Sequence, residues 1–146
     1  MAQRGSISRR TTDGTSGAAA LELIAHSAGN GINVREFSVY LAAATASTYG
    51  LGRPAAKGIT PTTPVQLLAD DSISTSANMA TTTAVAWGTG PTAPTQFYRR
   101  ISFPNVIGSY VTWTFQNGLF VPAGGSLVLW NLALNGVVDV NITVDE

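Results

Sequence analysis

The chain has no cysteine and a single histidine, and its 146 residues include only eight basic and eight acidic side chains. Each shortage closes a class of explanation. Without cysteine there is no disulfide framework, no thiol nucleophile and no thiolate metal site. With one imidazole and few carboxylates, the chain is poorly supplied with the acids, bases and ligands at matched pKa that enzymes use. No enzymatic activity, cofactor or metal is therefore expected. The formal net charge is zero, so neither nucleic acid nor an anionic membrane surface is expected as a partner. No apolar run approaches the roughly 20 residues of a membrane helix. Met1-Ala2-Gln3-Arg4 has no apolar leader segment, and no secretory signal is expected.

What the chain does contain is 45% hydrophobic residues and 15 glycines, with turn-forming residues spread along its length. The length suits one domain, which buries roughly two-thirds of the surface its unfolded chain would expose and so needs no covalent staple. An apolar excess with so few charges implies that part of the surface lies against a partner. Zero net charge does little to keep a free protein soluble, which suits a subunit held in an assembly.

Residues 1–17 are polar, rich in Gly, Ser and Thr, and show no apolar period. They hold Arg4, Arg9 and Arg10 against one acid, Asp13. The composition predicts a flexible basic arm, outside a domain spanning 18–146. Beyond it the period is 2, the mark of strands with one buried face. Leu21 and Leu23 alternate with Glu22 and Ile24; Phe37, Val39 and Leu41 with Ser38 and Tyr40; Val111, Trp113 and Phe115 with Thr112 and Thr114; Val138, Val140, Ile142 and Val144 with Asp139, Asn141 and Thr143. Leu127 to Leu134 is almost wholly apolar and reads as a central strand covered on both faces. Asn30-Gly31, Asn117-Gly118 and Asn135-Gly136 mark turns. About eight to nine short strands with regular turns predict an all-β protein, a single β-sandwich of jelly-roll type with an extended N-terminal arm.

A search for chemistry returns little. His26 falls beside a turn with no G-x-S-x-G elbow anywhere in the chain. Asp70-Asp71 lacks the spacing of a calcium loop. Glu22 and Glu36 sit on predicted polar faces, and a hairpin that brought them together would offer a carboxylate pair. Arg99-Arg100 is an adjacent pair within a strand, so one guanidinium points to the inner side or the edge of its sheet and requires an anionic or carbonyl partner. An internal salt bridge is the plain expectation there, a contact with another subunit the alternative. Trp113 and Trp130 lie in alternating apolar faces and read as core, whereas Trp87 borders a loop.

The segments Trp87-Gly88-Thr89-Gly90-Pro91, Phe97-Tyr98-Arg99-Arg100, Trp113-Thr114-Phe115, Leu127-Val128-Leu129-Trp130-Asn131-Leu132 and Val138-Asp139-Val140, with Val34-Arg35-Glu36-Phe37 and Gly52-Arg53-Pro54 before them, carry a resemblance. Over roughly residues 32–146 the chain resembles the decoration or cement proteins of tailed phages, most of all those of phages that infect cyanobacteria. The resemblance implies a β-sandwich that assembles as a homotrimer on the outer surface of a virion capsid and bridges neighbouring subunits of the major capsid protein. It also implies assembly in the host cytoplasm and carries no catalytic residues. The candidate capsid contacts are Arg4, Arg9, Arg10, Arg53, Arg99 and Arg100. The rival reading is a carbohydrate-binding β-sandwich module or tail-tip receptor-binding protein using loop aromatics such as Trp87 and Tyr49. A small hydrolase is a weaker rival, for want of an acid–base pair.

Overall fold

The computed structural model describes residues 3–12, 15–70, 78–134 and 136–146. These residues form strands and no helix. The strands are β1 (Arg4–Arg10), β2 (Ala18–Ile24), β3 (Ile32–Leu41), β4 (Ser47–Gly52), β5 (Ile59–Pro61), β6 (Val65–Ala69), β7 (Asn78–Ala84), β8 (Trp87–Thr89), β9 (Phe97–Phe103), β10 (Tyr110–Val121), β11 (Ser126–Ala133) and β12 (Val138–Asp145).

Their pairing is nested. β1 pairs with β12, β2 with β11, β3 with β10 and β4 with β9, all antiparallel. Two further ladders, β12 with β3 and β11 with β4, sort these eight strands into two four-stranded groups, β1-β12-β3-β10 and β2-β11-β4-β9. An eight-strand nested hairpin rolled into two groups is the jelly-roll connectivity, and the expected fold class stands. The core lies between the groups: Phe37, Val39, Trp113, Val140 and Ile142 from one meet Leu21, Leu23, Leu51, Leu127 and Leu129 from the other. Val138, Val140, Ile142 and Val144 are all buried, so the alternation read from β12 marks its inner face.

Residues 53–96, inserted between β4 and β9, supply the remaining strands. The β6–β7 hairpin fills one side of the sandwich, β6 against β1 and β7 against β2, which joins both groups into one ten-stranded sheet. The other side stays open: β9 and β10 are the two ends of that sheet, and no ladder joins them. The rest of the insertion lies over the outer face of β2-β11-β4. β11 is therefore buried on both faces, with Leu127 and Leu129 inward and Val128 and Trp130 equally inaccessible. Opposite Val128 and Trp130 stand Gly52 and Gly50. Pro94 and Phe97 occupy the space that a Cβ at those glycines would need.

The expectation of a flexible arm is corrected for Arg4–Arg10. This segment is β1, in register with β12 over seven residues from Arg4↔Asp145 to Arg10↔Asp139. Its inner positions are Gly5, Ile7 and Arg9, opposite the buried Val144, Ile142 and Val140. They give no apolar alternation because two of the three serve other purposes. Gly5 is required for space, since a Cβ there would fall 1.7 Å from Met79 Sδ and 2.8 Å from the Leu68 carbonyl oxygen. Arg9 reaches past β6 and donates to the carbonyl oxygens of Thr83 at 2.6 Å and Thr63 at 3.1 Å. The outer positions are fixed by charge: Arg4 pairs with Asp145 at 2.9 Å and Arg10 with Asp139 at 2.7 Å.

Two predictions follow from β1 and its partners. Deleting residues 1–10 should unfold the domain or lower its melting temperature sharply, because it bares the apolar edge of β12; thermal denaturation followed by circular dichroism measures this. The second concerns pH. The Arg10 guanidinium holds the Asp139 carboxyl below its ordinary range, and Arg4, assisted by Arg35, does the same for Asp145. A depressed folded-state pKa gives stability that is present above the unfolded value, about 3.9, and lost as pH falls through the folded one. Melting temperature should thus drop steeply below about pH 4, and the drop should be shallower in the Asp139→Asn, Asp145→Asn double variant.

Candidate functional site

The six arginines singled out in the sequence separate into two sets. Arg4, Arg9 and Arg10 are committed to the pairings just described, so the structure places them in a framework role rather than in a free basic arm. Arg53, Arg99 and Arg100 come together at the open edge, and none of the ion pairs among the described residues involves them.

Each of these three guanidinium groups rests on an aromatic ring. Arg53 leaves β4 directly, lies 5.6 Å from the centre of the Tyr98 ring and donates to the Phe120 carbonyl oxygen of β10. Arg99 lies 5.3 Å from the centre of the Phe115 ring of β10 and donates to the Tyr98 carbonyl oxygen at 2.8 Å. Arg100 lies 5.8 Å from the Phe97 ring centre. Arg53 and Arg99 therefore span the gap between β9 and β10 that no backbone ladder closes. Among the described residues the internal salt bridge expected for the Arg99-Arg100 pair is not formed; a carbonyl and ring faces take its place. Such ring contacts contribute about 0.5–1 kcal/mol each at exposed sites. They hold the side chains in position without neutralising them. Beside them opens a cleft of about 230 Å³ lined by Arg53, Thr95, Gln96, Phe97 and Tyr98.

The partners on β10, the Phe115 ring and the Phe120 carbonyl oxygen, escape a reading of the sequence, because they lie on a strand that meets β9 only in the folded chain. Phe97 and Tyr98, the rings beneath Arg100 and Arg53, stand beside Arg99 in the sequence. A second exposed surface lies where the connections 42–46 and 104–109 meet Leu134, Gly136 and Val137. Backbone hydrogen bonds tie them together, Gly108 N to Leu41 O and Ala42 N to Val137 O. Val106, Ile107 and Leu134 are exposed there, as is Tyr110, whose ring stacks on Tyr40 at 5.4 Å.

The remaining candidates are dispersed. Tyr49 is fully buried and its hydroxyl donates to the Gly136 carbonyl oxygen; burial pushes that hydroxyl up to about 12. Trp87 is half-buried and its Nε1 donates to Glu22 Oε2 at 2.8 Å. Neither ring is placed to form a sugar platform with the other. Glu22, expected on a polar face, is on the outer side of β2 yet wholly buried beneath the insertion, where Gly58 N also donates to it at 3.1 Å. Glu36 is on β3, in the other group of strands, so the two carboxylates are not paired. His26 is exposed just after β2 and its Nδ1 accepts a hydrogen bond from Ala28 N at 3.2 Å. Asp70 accepts from Ser6 Oγ, and Asp71 lies outside the described residues. Among the described residues, no three His, Asp or Glu side chains converge on a common point.

Comparison of the chain with protein-family models, with curated proteins and with solved structures found no match.

The Glu22 contacts give a direct test of how the insertion is held. Glu22→Ala leaves two buried donors unpaired, at a cost of about 1–3 kcal/mol each. The variant should show a lowered melting temperature and faster proteolysis within 53–62, while Glu22→Gln, which keeps one acceptor oxygen, should fall between it and the parent.

Proposed function

We propose that this protein is a structural component of a virion, a decoration or cement protein that binds the outer surface of a phage capsid and bridges neighbouring major capsid subunits. The observation that carries the reading is the division of charge. Three of the acids, Asp139, Asp145 and Glu22, are engaged inside the molecule, whereas Arg53, Arg99 and Arg100 are exposed at the open side of the sandwich and, among the described residues, have no carboxylate partner. A surface built to meet another protein has this form: aromatic bodies for contact area, with guanidinium groups for direction. The jelly roll and the sequence resemblance support the same reading, although the fold alone hosts many functions.

The mechanism is mechanical. A protein that binds only the closed shell adds its binding free energy to the stability of that shell. A closed homotrimer triples the points of attachment and raises avidity without new kinds of contact. The exposed Val106, Ile107, Leu134 and Tyr110 supply an apolar surface for that self-association.

Co-sedimentation of purified protein with capsids tests the proposal. Retention should be stoichiometric with capsid subunits and should fall on raising the salt, since exposed charges are screened beyond about 8 Å at physiological ionic strength. The Arg99→Ala, Arg100→Ala double variant should be retained less at every salt concentration. Native mass spectrometry should show trimers that Ile107→Asp dissociates. A monomer that never rides on capsids would remove the reading.

A further inference from the structure

We propose that the free edge of β9 accepts an extended, acidic segment of a partner protein as an added strand. This deepens the virion reading and rests on it for the identity of the partner, but the chemistry of the site stands on the edge itself.

The first argument is the backbone. β9 runs from Phe97 to Phe103 and forms a ladder with β4 alone. Along its other side the N–H and C=O groups form no ladder, because β10, the facing end of the sheet, is not paired with it; the Tyr98 carbonyl oxygen of β9 accepts from Arg99. A row of unpaired backbone groups is a template for another extended chain. Addition of a strand draws its affinity from main-chain hydrogen bonds and its specificity from the side chains that flank the edge.

The second argument is charge. Arg99 and Arg100 are consecutive, so their side chains project to opposite faces of the sheet, and Arg53 reaches the same edge from the end of β4. An added strand would find guanidinium groups on both of its faces. The six described acids of this chain are placed elsewhere: Asp139 and Asp145 with their arginines, Glu22 beneath the insertion, Glu36 on β3 between Thr114 and Thr143, Asp70 on Ser6, Glu146 near Thr81. A second copy pairing β9 with β9 would set arginines against arginines, and like charges facing each other across a ladder are destabilising. The edge therefore refuses itself and selects carboxylates. Guanidinium and carboxylate match in charge and in fork geometry, and such pairs would replace the weaker ring contacts that now hold Arg99 on Phe115 and Arg100 on Phe97. The cleft beside Arg53, Thr95, Gln96, Phe97 and Tyr98 lies at the start of the strand and can take one side chain of the incoming segment.

The test uses the full chain and a fluorescein-labelled peptide that alternates glutamate with threonine. Its controls are the lysine–threonine counterpart and a single-stranded oligothymidylate. Fluorescence anisotropy should show the acidic peptide binding and the basic one not. The Arg99→Ala, Arg100→Ala variant, shown by circular dichroism to remain folded at the assay temperature, should bind about tenfold or more weakly, the loss expected for charge-assisted pairs. Hydrogen exchange should slow across residues 98–102 when the acidic peptide is present. Binding that ignores peptide charge, or that leaves exchange in β9 unaltered, overturns the proposal. Tighter, arginine-dependent binding of the oligonucleotide overturns it in favour of a nucleic-acid edge. Capsid retention that is indifferent to the arginine variant also overturns it while keeping the virion reading; peptide binding with no capsid association overturns the virion reading alone.

Discussion

The double burial of β11 governs the architecture. Ser126–Ala133 presents Leu127 and Leu129 to one side and Val128 and Trp130 to the other, and all four are out of solvent. A two-layer sandwich covers only one face of each sheet, so a strand apolar on both faces requires a third layer. The insertion at 53–96 is that layer, over the outer face of β2-β11-β4. Its seating depends on glycines in β4, where Phe97 and Pro94 press against the backbone, and on Glu22, which takes hydrogen bonds from Trp87 and Gly58. A buried carboxylate is tolerated because its oxygens are bonded, and the same bonds fix where the insertion lies.

The insertion also decides which side of the jelly roll is closed. Its β6–β7 hairpin completes the sheet between β1 and β2 and leaves nothing between β9 and β10. β1 then becomes an interior strand, paired on both sides, and its basic residues are drawn into internal bonds. Arg9 shows how far this goes: partial desolvation lowers the pKa of its guanidinium, which nonetheless bonds to carbonyls of two segments of the insertion. On the open side the arginines meet only rings and carbonyl oxygens. The insertion thus holds Arg9 by its carbonyl oxygens and leaves the arginines of the open side exposed.

Val106, Ile107, Tyr110 and Leu134 are exposed at a separate place, the end where 104–109 meets Leu134 and Val137. The two surfaces differ in chemistry, one apolar and one cationic with aromatic support. That difference suits two kinds of contact, self-association at one and a different, acidic partner at the other, under the proposals above.

Much of this was legible in the sequence. Alternation in Phe37–Leu41, Val111–Phe115 and Val138–Val144 marks inner faces correctly, because a period of 2 follows from the geometry of any strand with one wet side. The apolar run read at 127–134 marks a strand buried on both faces as far as Asn131, while Ala133 and Leu134 are exposed at its end; Asn30-Gly31 separates β2 from β3, whereas Asn117-Gly118, expected as a turn, lies within β10, where the register shifts between Thr114 and Leu119. Local sequence determined these things because each depends only on neighbours along the chain. Other features were decided by tertiary structure alone. β1 is invisible to periodicity, since its inner positions are a glycine needed for Met79, a single Ile7 and an arginine that bonds across the fold. Glu22 looks solvent-facing until residues remote in sequence cover it. The division of six similar arginines into a framework set and a set at the open edge depends on which strands meet Asp139, Asp145, Phe115 and Phe120, residues from 16 to 141 positions away in the chain. Such pairings are long-range, and only the nested ladder order determines them.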